Sequence, residues 1–302
     1  MKKSTLLFAI LLAVCTLSAQ KQVSGSGNAI TQDRKLPTFT ILKNTTFVNV
    51  VIVQAKESKA IVKADGNVIN HVLTQVEDNT LTISMERGIS YGKSSNYITV
   101  EVHTPHLSEL VNSGTGNVTI NSLKEEKFTL ANKGTGDVSS SCLLVSKTLV
   151  MTSGGTGNLN ISFMAQGDVI IKNAGTGDMV LDVIQNVTSS MKIQNSGTGS
   201  IVLKKLSVGD LQLKNLGTGD ITMSGKADNM TLVNNGTGNV QANKLVVKTA
   251  HIIQNSVGGI NAYVTEKAYL TRKNKTGNLK ITGGGEVVME TSIEEIREFL
   301  NE

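Results

Sequence analysis

The residues with the clearest potential for chemistry form a Gly-Thr-Gly triplet that recurs along the chain. Examples are 112-NSGTGNVTI-120, 132-NKGTGDVSS-140, 173-NAGTGDMVL-181 and 215-NLGTGDITM-223. A phosphate-binding loop requires G-x-x-x-x-G-K-[ST], and a dinucleotide site requires G-x-G-x-x-G before a helix. Neither pattern occurs, and the triplets lie between strand-like runs. The triplet therefore predicts no nucleotide site, and no cofactor is expected.

A calcium site is the second chemistry that the triplet could support. Calcium-binding solenoids use a nine-residue G-G-x-G-x-D repeat, whereas the period here is about 20 residues. An aspartate follows the triplet only at Asp137, Asp178 and Asp220, which gives too little negative charge to hold Ca²⁺ well. These aspartates occupy the same position in different repeats, whereas catalysis would need one repeat that differs from the others. The sequence thus predicts neither a metal site nor a catalytic residue.

A structural role accounts for the triplet better. Glycine allows positive φ and close stacking at a corner, and threonines can stack and hydrogen-bond from one repeat to the next. An asparagine recurs three residues before the threonine, and buried asparagines of successive repeats can form an amide ladder. The alternative for these asparagines is an outward polar stripe that binds a partner.

The four histidines do not suggest a ligand set. His103 and His106 lie three residues apart around Pro105, but a zinc site needs a third protein ligand. His71 and His251 are isolated in the sequence, and we expect structural roles for them.

Paired carboxylates, which glycosidases use as acid and base, are the remaining candidates. Glu125-Glu126 and Glu294-Glu295 are sequence neighbours, and such neighbours usually point apart or into solvent. Cys142 has no helix N-terminus or paired histidine in sight, so we expect a buried apolar residue. The chain is therefore predicted not to be an enzyme.

An internal repeat of about 20 residues supplies the elements that position these residues. A polar column three residues before the threonine holds Asn112, Asn132, Ser153, Asn173, Asn195, Asn215, Asn234, Asn255 and Asn274. The threonine column holds Thr115, Thr135, Thr156, Thr176, Thr198, Thr218 and Thr237, then Gly258, then Thr276 one residue early. Apolar and polar residues alternate on both sides of the triplet, as in strands with one buried face.

Each repeat is thus read as a strand, a Gly-Thr-Gly corner, a second strand and a short return. One repeat cannot bury its apolar face alone, whereas stacked repeats share a continuous core. The sequence predicts an all-β fold: a single-stranded parallel β-helix, or β-solenoid, with right-handed coils of about 20 residues. Nine coils spaced by about 4.8 Å would form a rod roughly 40 Å long.

Four segments are expected along the chain. Residues 1–20 carry Lys2, Lys3 and an apolar run too short to span a bilayer, which predicts a secretory signal peptide. A lipid anchor at Cys15 is the alternative, and the valine before this cysteine disfavours it. Residues 21–104 are read as lead-in strands and first irregular coils, and residues 105–285 as the regular array. Residues 286–302 are read as a C-terminal strand and a capping helix over 292–300.

Charge and cysteine content restrict the partners. The net charge is +5, and removal of residues 1–20 with their two lysines lowers it to +3. This charge is small and forms no basic cluster, so nucleic-acid binding is not expected. After residue 20 no apolar stretch is long enough for a transmembrane helix. Cys142 would be the only remaining cysteine, which excludes an intrachain disulfide.

These features resemble a known family. The lead-in strands, the run 97-YITVEVHTPHLSELVNSGTGNV-118 and the recurring S-G-T-G-[DN]-[VI] units are similar to the head GIN domain family of putative auto-transporter adhesins, over roughly residues 28–285. The resemblance implies a parallel β-helix that is exported in Gram-negative bacteria. It implies no established catalytic residues.

Three functions are compatible with such a chain. The favoured one is an exported, non-enzymatic adhesin or envelope binding protein, periplasmic, cell-surface or extracellular, that presents extended faces to a surface, a glycan or a protein. The second is a polysaccharide lyase or hydrolase, which would need converging charged residues and aromatic platforms, and aromatic residues are only 3%. The third is a purely structural envelope component, for which a homo-oligomer is one form.

Overall fold

The structure, a computed structural model, describes residues 21–92, 98–185, 190–272 and 276–290. Within these ranges the chain is all-β, with 23 strands and one 3₁₀ turn at Ile69–His71. Twenty-one of these strands belong to one sheet, which forms a β-solenoid of about nine turns. The predicted architecture is confirmed at this level, and the handedness of the coil stays a prediction.

Nine strands precede the regular array. They are β1 (Lys21–Val23), β2 (Ala29–Lys35), β3 (Ile41–Asn44), β4 (Asn49–Gln54), β5 (Lys59–Asp65), β6 (Val72–Glu77), β7 (Thr80–Met85), β8 (Ile89–Tyr91) and β9 (Thr99–Thr104).

The strands of the array vary in length because some of them run through a bend between two faces of the solenoid. They are β10 (Glu109–Asn112), β11 (Val118–Ile120), β12 (Leu123–Asn132), β13 (Val138–Ser153), β14 (Leu159–Ala165), β15 (Asp168–Asn173), β16 (Met179–Gln185), β17 (Ser190–Asn195), β18 (Ile201–Asn215), β19 (Ile221–Asn234), β20 (Val240–Gln254), β21 (Ile260–Arg272), β22 (Leu279–Thr282) and β23 (Glu286–Met289).

Each coil of the array contains three strand segments. In one representative coil they are 148–153, 159–161 and 163–165, and each pairs in parallel with the equivalent segments of the coils before and after it. The Gly-Thr-Gly corner separates the first segment from the second. The predicted short return therefore contains a third segment of its own.

The alternating pattern of the sequence fills one continuous core. Leu149, Met151, Leu159, Ile161 and Phe163 of the representative coil all point inward and are at most 2% exposed. Equivalent residues of the other coils belong to the same apolar cluster. Since complete burial of such a side chain contributes about 1.5–3 kcal/mol, stacking of coils is the main source of stability.

The N-terminal region does not add coils in chain order. β3 and β4 form the coil on which the array begins, because Asn44 pairs with Asn112 and Val50 with Val118. β7 and β9 pair in parallel with the opposite edges of β3 and β4, so these two strands supply the coil beneath the coil of β3 and β4.

Antiparallel strands border this lowest coil. β6 pairs with β7, β5 pairs with β9, and β2 pairs with β5, all antiparallel. Asp78 and Asn79 both have positive φ, as a two-residue hairpin turn between β6 and β7 requires. β2, β5 and β6 therefore depart from the parallel pairing of the array, and the division of the chain at residue 104 stays a prediction.

The predicted alignment of the last coils is wrong by one residue. Gln254, not Asn255, pairs with Asn234. Val257, not Gly258, consequently lies at the threonine position, since Ile260 pairs with Val240 three residues later. Asn255 instead lies in the next, outward column.

The C-terminal end of the described chain is β-structure. β22 and β23 both pair in parallel with β21. The helix predicted over 292–300 lies outside the described residues. Among the residues that the structure describes, no helix has the length and apolar character needed to cross a membrane.

Candidate functional site

The Gly-Thr-Gly corners are built for close stacking of the main chain. A Cβ atom on Gly134 would lie 2.0 Å from the carbonyl oxygen of Gly114 in the coil before, and other triplet glycines repeat this geometry. None of the triplet glycines has a positive φ, so the expected left-handed conformation is wrong and the close approach is the reason for glycine. The threonines between them are exposed.

The predicted asparagine ladder is confirmed. Asn44 Nδ2 donates to Asn112 Oδ1 (3.1 Å), and Asn112 Nδ2 donates to Asn132 Oδ1 (3.3 Å). A second run connects Asn173, Asn195, Asn215 and Asn234 at 3.1–3.3 Å. Ser153 interrupts the ladder, because its buried Oγ has no hydrogen-bond partner. The asparagines are thus internal braces and not an outward binding stripe.

The three aspartates after the triplet also brace the coils. Asp137 Oδ1 accepts a bond from the backbone N–H of Asn158 in the next coil (2.8 Å), and Asp220 Oδ1 accepts one from Asn239 N–H (2.7 Å). Asp178 accepts an equivalent bond. The described residues contain no cluster of three or more His, Cys, Asp or Glu side chains that could hold a metal ion.

His71 and His251, which are isolated in the sequence, each contact one other side chain in the fold, and these contacts agree with the structural roles expected for them. His71 Nδ1 lies 2.7 Å from Glu86 Oε2, and the His251 ring stacks on Tyr269 with 4.5 Å between centroids. His103 pairs with Glu101 and does not converge with His106.

Cys142 is a free thiol that is half-buried and not fully buried as expected. It lies where the register between β13 and β14 shifts, between Ser140 and Leu143. The irregular backbone there takes the side chain out of the regular inward alternation.

A candidate site is a groove of about 700 Å³ on the third face of the solenoid, the face formed by the third strand segments of the coils; we call it the third-face groove. Segments of three successive coils form it, together with Gln54 at the end of β4 and the crossover that follows β9. Its lining residues are Gln54, His106, Lys124, Glu125, Glu126, Leu144, Val145, Ser146, Met164 and Gln166.

Glu125 is the unusual residue of this groove, because it occupies a core position. It pairs with Val145, which pairs in turn with Ala165, and both of these are buried inward residues. The Glu125 side chain is only 11% exposed. Its Oε1 accepts hydrogen bonds from the backbone N–H of Leu107 (2.9 Å) and from Gln54 Nε2 (3.3 Å). A carboxylate at a position that the repeat fills with aliphatic residues marks a departure from the scaffold.

The partners of Glu125 differ from those of its sequence neighbour Glu126. His106 is 74% exposed and holds Nδ1 3.5 Å from Glu125 Oε2. Glu126 points away and forms an exposed ion pair with Lys147 Nζ (2.7 Å). The hydrogen bond and charge of Lys147 lower the pKa of Glu126 below its ordinary value. The two adjacent glutamates therefore point apart, as predicted, but only Glu126 points into solvent.

The floor of the groove is apolar. Leu144 and Met164 are half-buried outward residues at equivalent positions of two successive coils. The ladder is irregular beside them, with register shifts between Glu125 and Lys127 and between Phe163 and Met164. The groove thus lies at an irregular part of the repeat, and the sequence signal for it is the polar residue in an inward column.

A second, smaller depression of about 220 Å³ lies on the face formed by the first strand segments of the coils. Its lining includes Lys172, Lys192 and Lys214. Its volume is below the roughly 300–1,000 Å³ of typical small-molecule sites. The third-face groove is therefore the stronger candidate.

Several solved structures are similar to this chain, and the first of them supports the fold. A putative adhesin from Parabacteroides distasonis ATCC 8503 aligns with a TM-score of 0.51 and 16% identity over 89% of this chain and 100% of its own. A putative lipid binding protein from the same strain aligns with a TM-score of 0.42 and 18% identity over 90% of this chain and 100% of its own. A putative adhesin from Bacteroides fragilis NCTC 9343 gives a TM-score of 0.35 and 18% identity over 89% and 100% of the two chains. No curated protein sequence matches this chain.

The sequence profile of one family covers almost the whole described solenoid. The family is described as "putative auto-transporter adhesin, head GIN domain", and its profile matches residues 38–182 and 169–285. These ranges include the lowest coils, the corners and the third-face groove. The chain therefore belongs to the head GIN domain family of putative auto-transporter adhesins.

Proposed function

We propose that this chain is an exported, non-enzymatic binding protein of the cell envelope, which attaches to a glycan or protein of a surface through the third-face groove. The observation that carries the proposal is the groove itself, an amphipathic concave surface of about 700 Å³. This volume lies within the roughly 300–1,000 Å³ range of ligand sites. Membership of a family described as adhesins supports the same role.

Export and location form part of the proposal. Residues 1–20 would act as a cleaved signal peptide, and the right-handed rod would remain in the Gram-negative envelope or at the cell surface. N-terminal sequencing of the processed protein and fractionation of the cells test this. A first residue near position 20 in the soluble fraction is expected, whereas a chain that begins at Cys15 in the membrane fraction would show a lipid anchor.

The binding role is tested with the protein on a glycan array and on whole cells. Leu144→Arg places a long cationic side chain over the floor of the groove and is expected to abolish retention. Val246→Arg is the matched control, because Val246 is exposed and lies at the equivalent outward position of a distant coil. If both variants lose retention equally, or if neither variant loses it, binding in the groove would be contradicted. A protein that is retained by no surface would favour a purely structural role.

A polysaccharide lyase or hydrolase is the second candidate, because His106, Lys124 and Glu125 line one groove. A glycosidase requires a second carboxylate within about 5–9.5 Å across the scissile bond, and Glu126 is engaged with Lys147. Release of shortened products from a retained glycan would establish this function in place of simple binding.

A further inference from the structure

The charges around the third-face groove balance each other. Lys124 and Glu125 line it with opposite charges, and Glu126 at its edge is neutralised by Lys147. A polyanion such as nucleic acid or an anionic membrane requires a surplus of positive charge, which this groove does not provide. Charge complementarity therefore favours an uncharged ligand.

Glu125 offers an oriented acceptor to such a ligand. Its Oε1 is occupied by Leu107 N–H and Gln54 Nε2. Its Oε2 has His106 Nδ1 at 3.5 Å, which exceeds the usual 2.7–3.2 Å of an N–H···O bond. A carboxylate has about four lone-pair positions, so Oε2 retains capacity for hydroxyl donors. Because Oε1 is fixed by the backbone, the carboxylate is held in one orientation before a ligand arrives.

The floor provides the complementary apolar surface. Leu144 and Met164 are adjacent in successive coils, which are about 4.8 Å apart. A ring with hydroxyl groups at its edge and C–H groups on its face would bury the face on these side chains and direct the hydroxyls to Glu125.

An extended peptide is a poorer match. Peptides that add a strand need an open sheet edge, whereas the β13 segment beneath the groove is paired with β12 on one side and β14 on the other. The groove is therefore suited to recognition by side chains alone.

We propose that the third-face groove binds a neutral pyranose residue of a glycan, with Glu125 accepting its hydroxyl hydrogens and Leu144 and Met164 contacting its C–H face. This inference rests on the proposed function and names the ligand class for the same site.

The test compares Glu125→Gln with Glu126→Gln, which make the same chemical change at adjacent positions. Isothermal titration with neutral mono- and oligosaccharides of glucose, galactose, mannose and N-acetylglucosamine measures binding. Glu125→Gln is expected to weaken binding by about tenfold, the effect of losing a hydrogen bond to a charged group. Glu126→Gln should change it by less than about twofold, and binding should be nearly independent of salt because the ligand is uncharged.

Folding must be separated from binding, because Glu125 also accepts the Leu107 N–H. Glu125→Gln retains a carbonyl oxygen for this bond, and thermal unfolding checks that the variant is folded. Met164→Ala provides an independent readout, since it removes an outward side chain and should weaken saccharide binding without changing the Glu125 hydrogen bonds.

The outcomes separate a failure of the sugar ligand from a failure of the proposed binding function. Loss of cell binding in Leu144→Arg, without binding of any neutral saccharide, would overturn the sugar ligand and leave the groove as a site for another partner. Saccharide binding that is unaffected by Glu125→Gln and Met164→Ala would also overturn the inference. Failure of the unmodified protein to bind any cell or glycan would refute the proposed function itself.

Discussion

The adjacent glycines Gly154 and Gly155 allow the stacking of the corners to be tested with one matched pair of substitutions. A Cβ atom on Gly155 would lie 1.9 Å from the carbonyl oxygen of Gly134, whereas a Cβ atom on Gly154 would meet nothing within 4 Å. Neither residue has a positive φ, so alanine is not strained by conformation at either position. The two variants differ only in the space that the new methyl group occupies.

The cost of Gly155→Ala follows from the distances. An ordinary contact begins at 3.4 Å, so the two coils must separate locally by 3.4 − 1.9 = 1.5 Å. The bonds from Gly155 N–H to Asn132 O (3.3 Å) and from Thr156 N–H to Gly134 O (3.1 Å) would then break. Overpacking costs about 1–3 kcal/mol and the two lost hydrogen bonds about 0.5–1.5 kcal/mol each, which together give about 2–6 kcal/mol.

Urea unfolding followed by circular dichroism measures both variants. Gly154→Ala is expected to raise the free energy of unfolding by about 0.4–1 kcal/mol, because alanine restricts the unfolded chain. Gly155→Ala should lower the midpoint strongly with little change in the slope m. Equal midpoints for the two variants would refute the argument that main-chain contact selects glycine at the corners.

Three further predictions concern polar side chains, two of them buried and one half-buried. Asn195→Ala should lower the free energy of unfolding by about 3 kcal/mol, because Asn215 Oδ1 loses its donor at 3.3 Å. The control Asn235→Ala, at an exposed position, should cost less than about 1 kcal/mol. Equal losses for the two variants in urea denaturation would contradict the ladder. Ser153→Asn should add about 1 kcal/mol in the same assay by completing the ladder, and a loss of stability would show that the position cannot accept an amide. Burial and then the charge of Glu86 raise the pKa of Tyr91 above its ordinary value. As the pH rises, the unfolded state therefore loses the Tyr91 hydroxyl proton before the folded state does. The stability that Tyr91 contributes is complete below about pH 10 and is lost as the pH rises through the folded pKa. Tyr91→Phe should reduce the fall in thermal stability at alkaline pH, and an unchanged fall would refute the role of Tyr91.

The regular array could be predicted from sequence because its signals repeat. Alternation around Leu149 and Met151, and glycines at fixed spacing, each point to the same stacked strands. The amide ladder was predictable for the same reason. At Gln254 the residue type is misleading, because an asparagine follows it directly and only the inward column shows that Gln254 continues the ladder position.

The N-terminal coils and the groove depend on contacts that do not repeat. Pairing of β7 with β3 joins residues about 40 positions apart and leaves no periodic signal. Glu125 was seen in the sequence as one of two adjacent acids, but its environment depends on Gln54 and on the crossover at Leu107, which only the folded chain brings together. The inward position of Glu125 was the one available clue.

In-register stacking supports both the core and the third-face groove, and distances between spin labels test it most directly. Cysteines placed in a cysteine-free variant at Thr135 and, in turn, at Thr198, Thr218 or Thr237 would report the threonine column by double electron–electron resonance. These positions are three, four and five coils from Thr135, so the mean distances should increase in even steps to about 14, 19 and 24 Å. Distances that do not increase by one coil spacing per repeat would contradict the stacked solenoid.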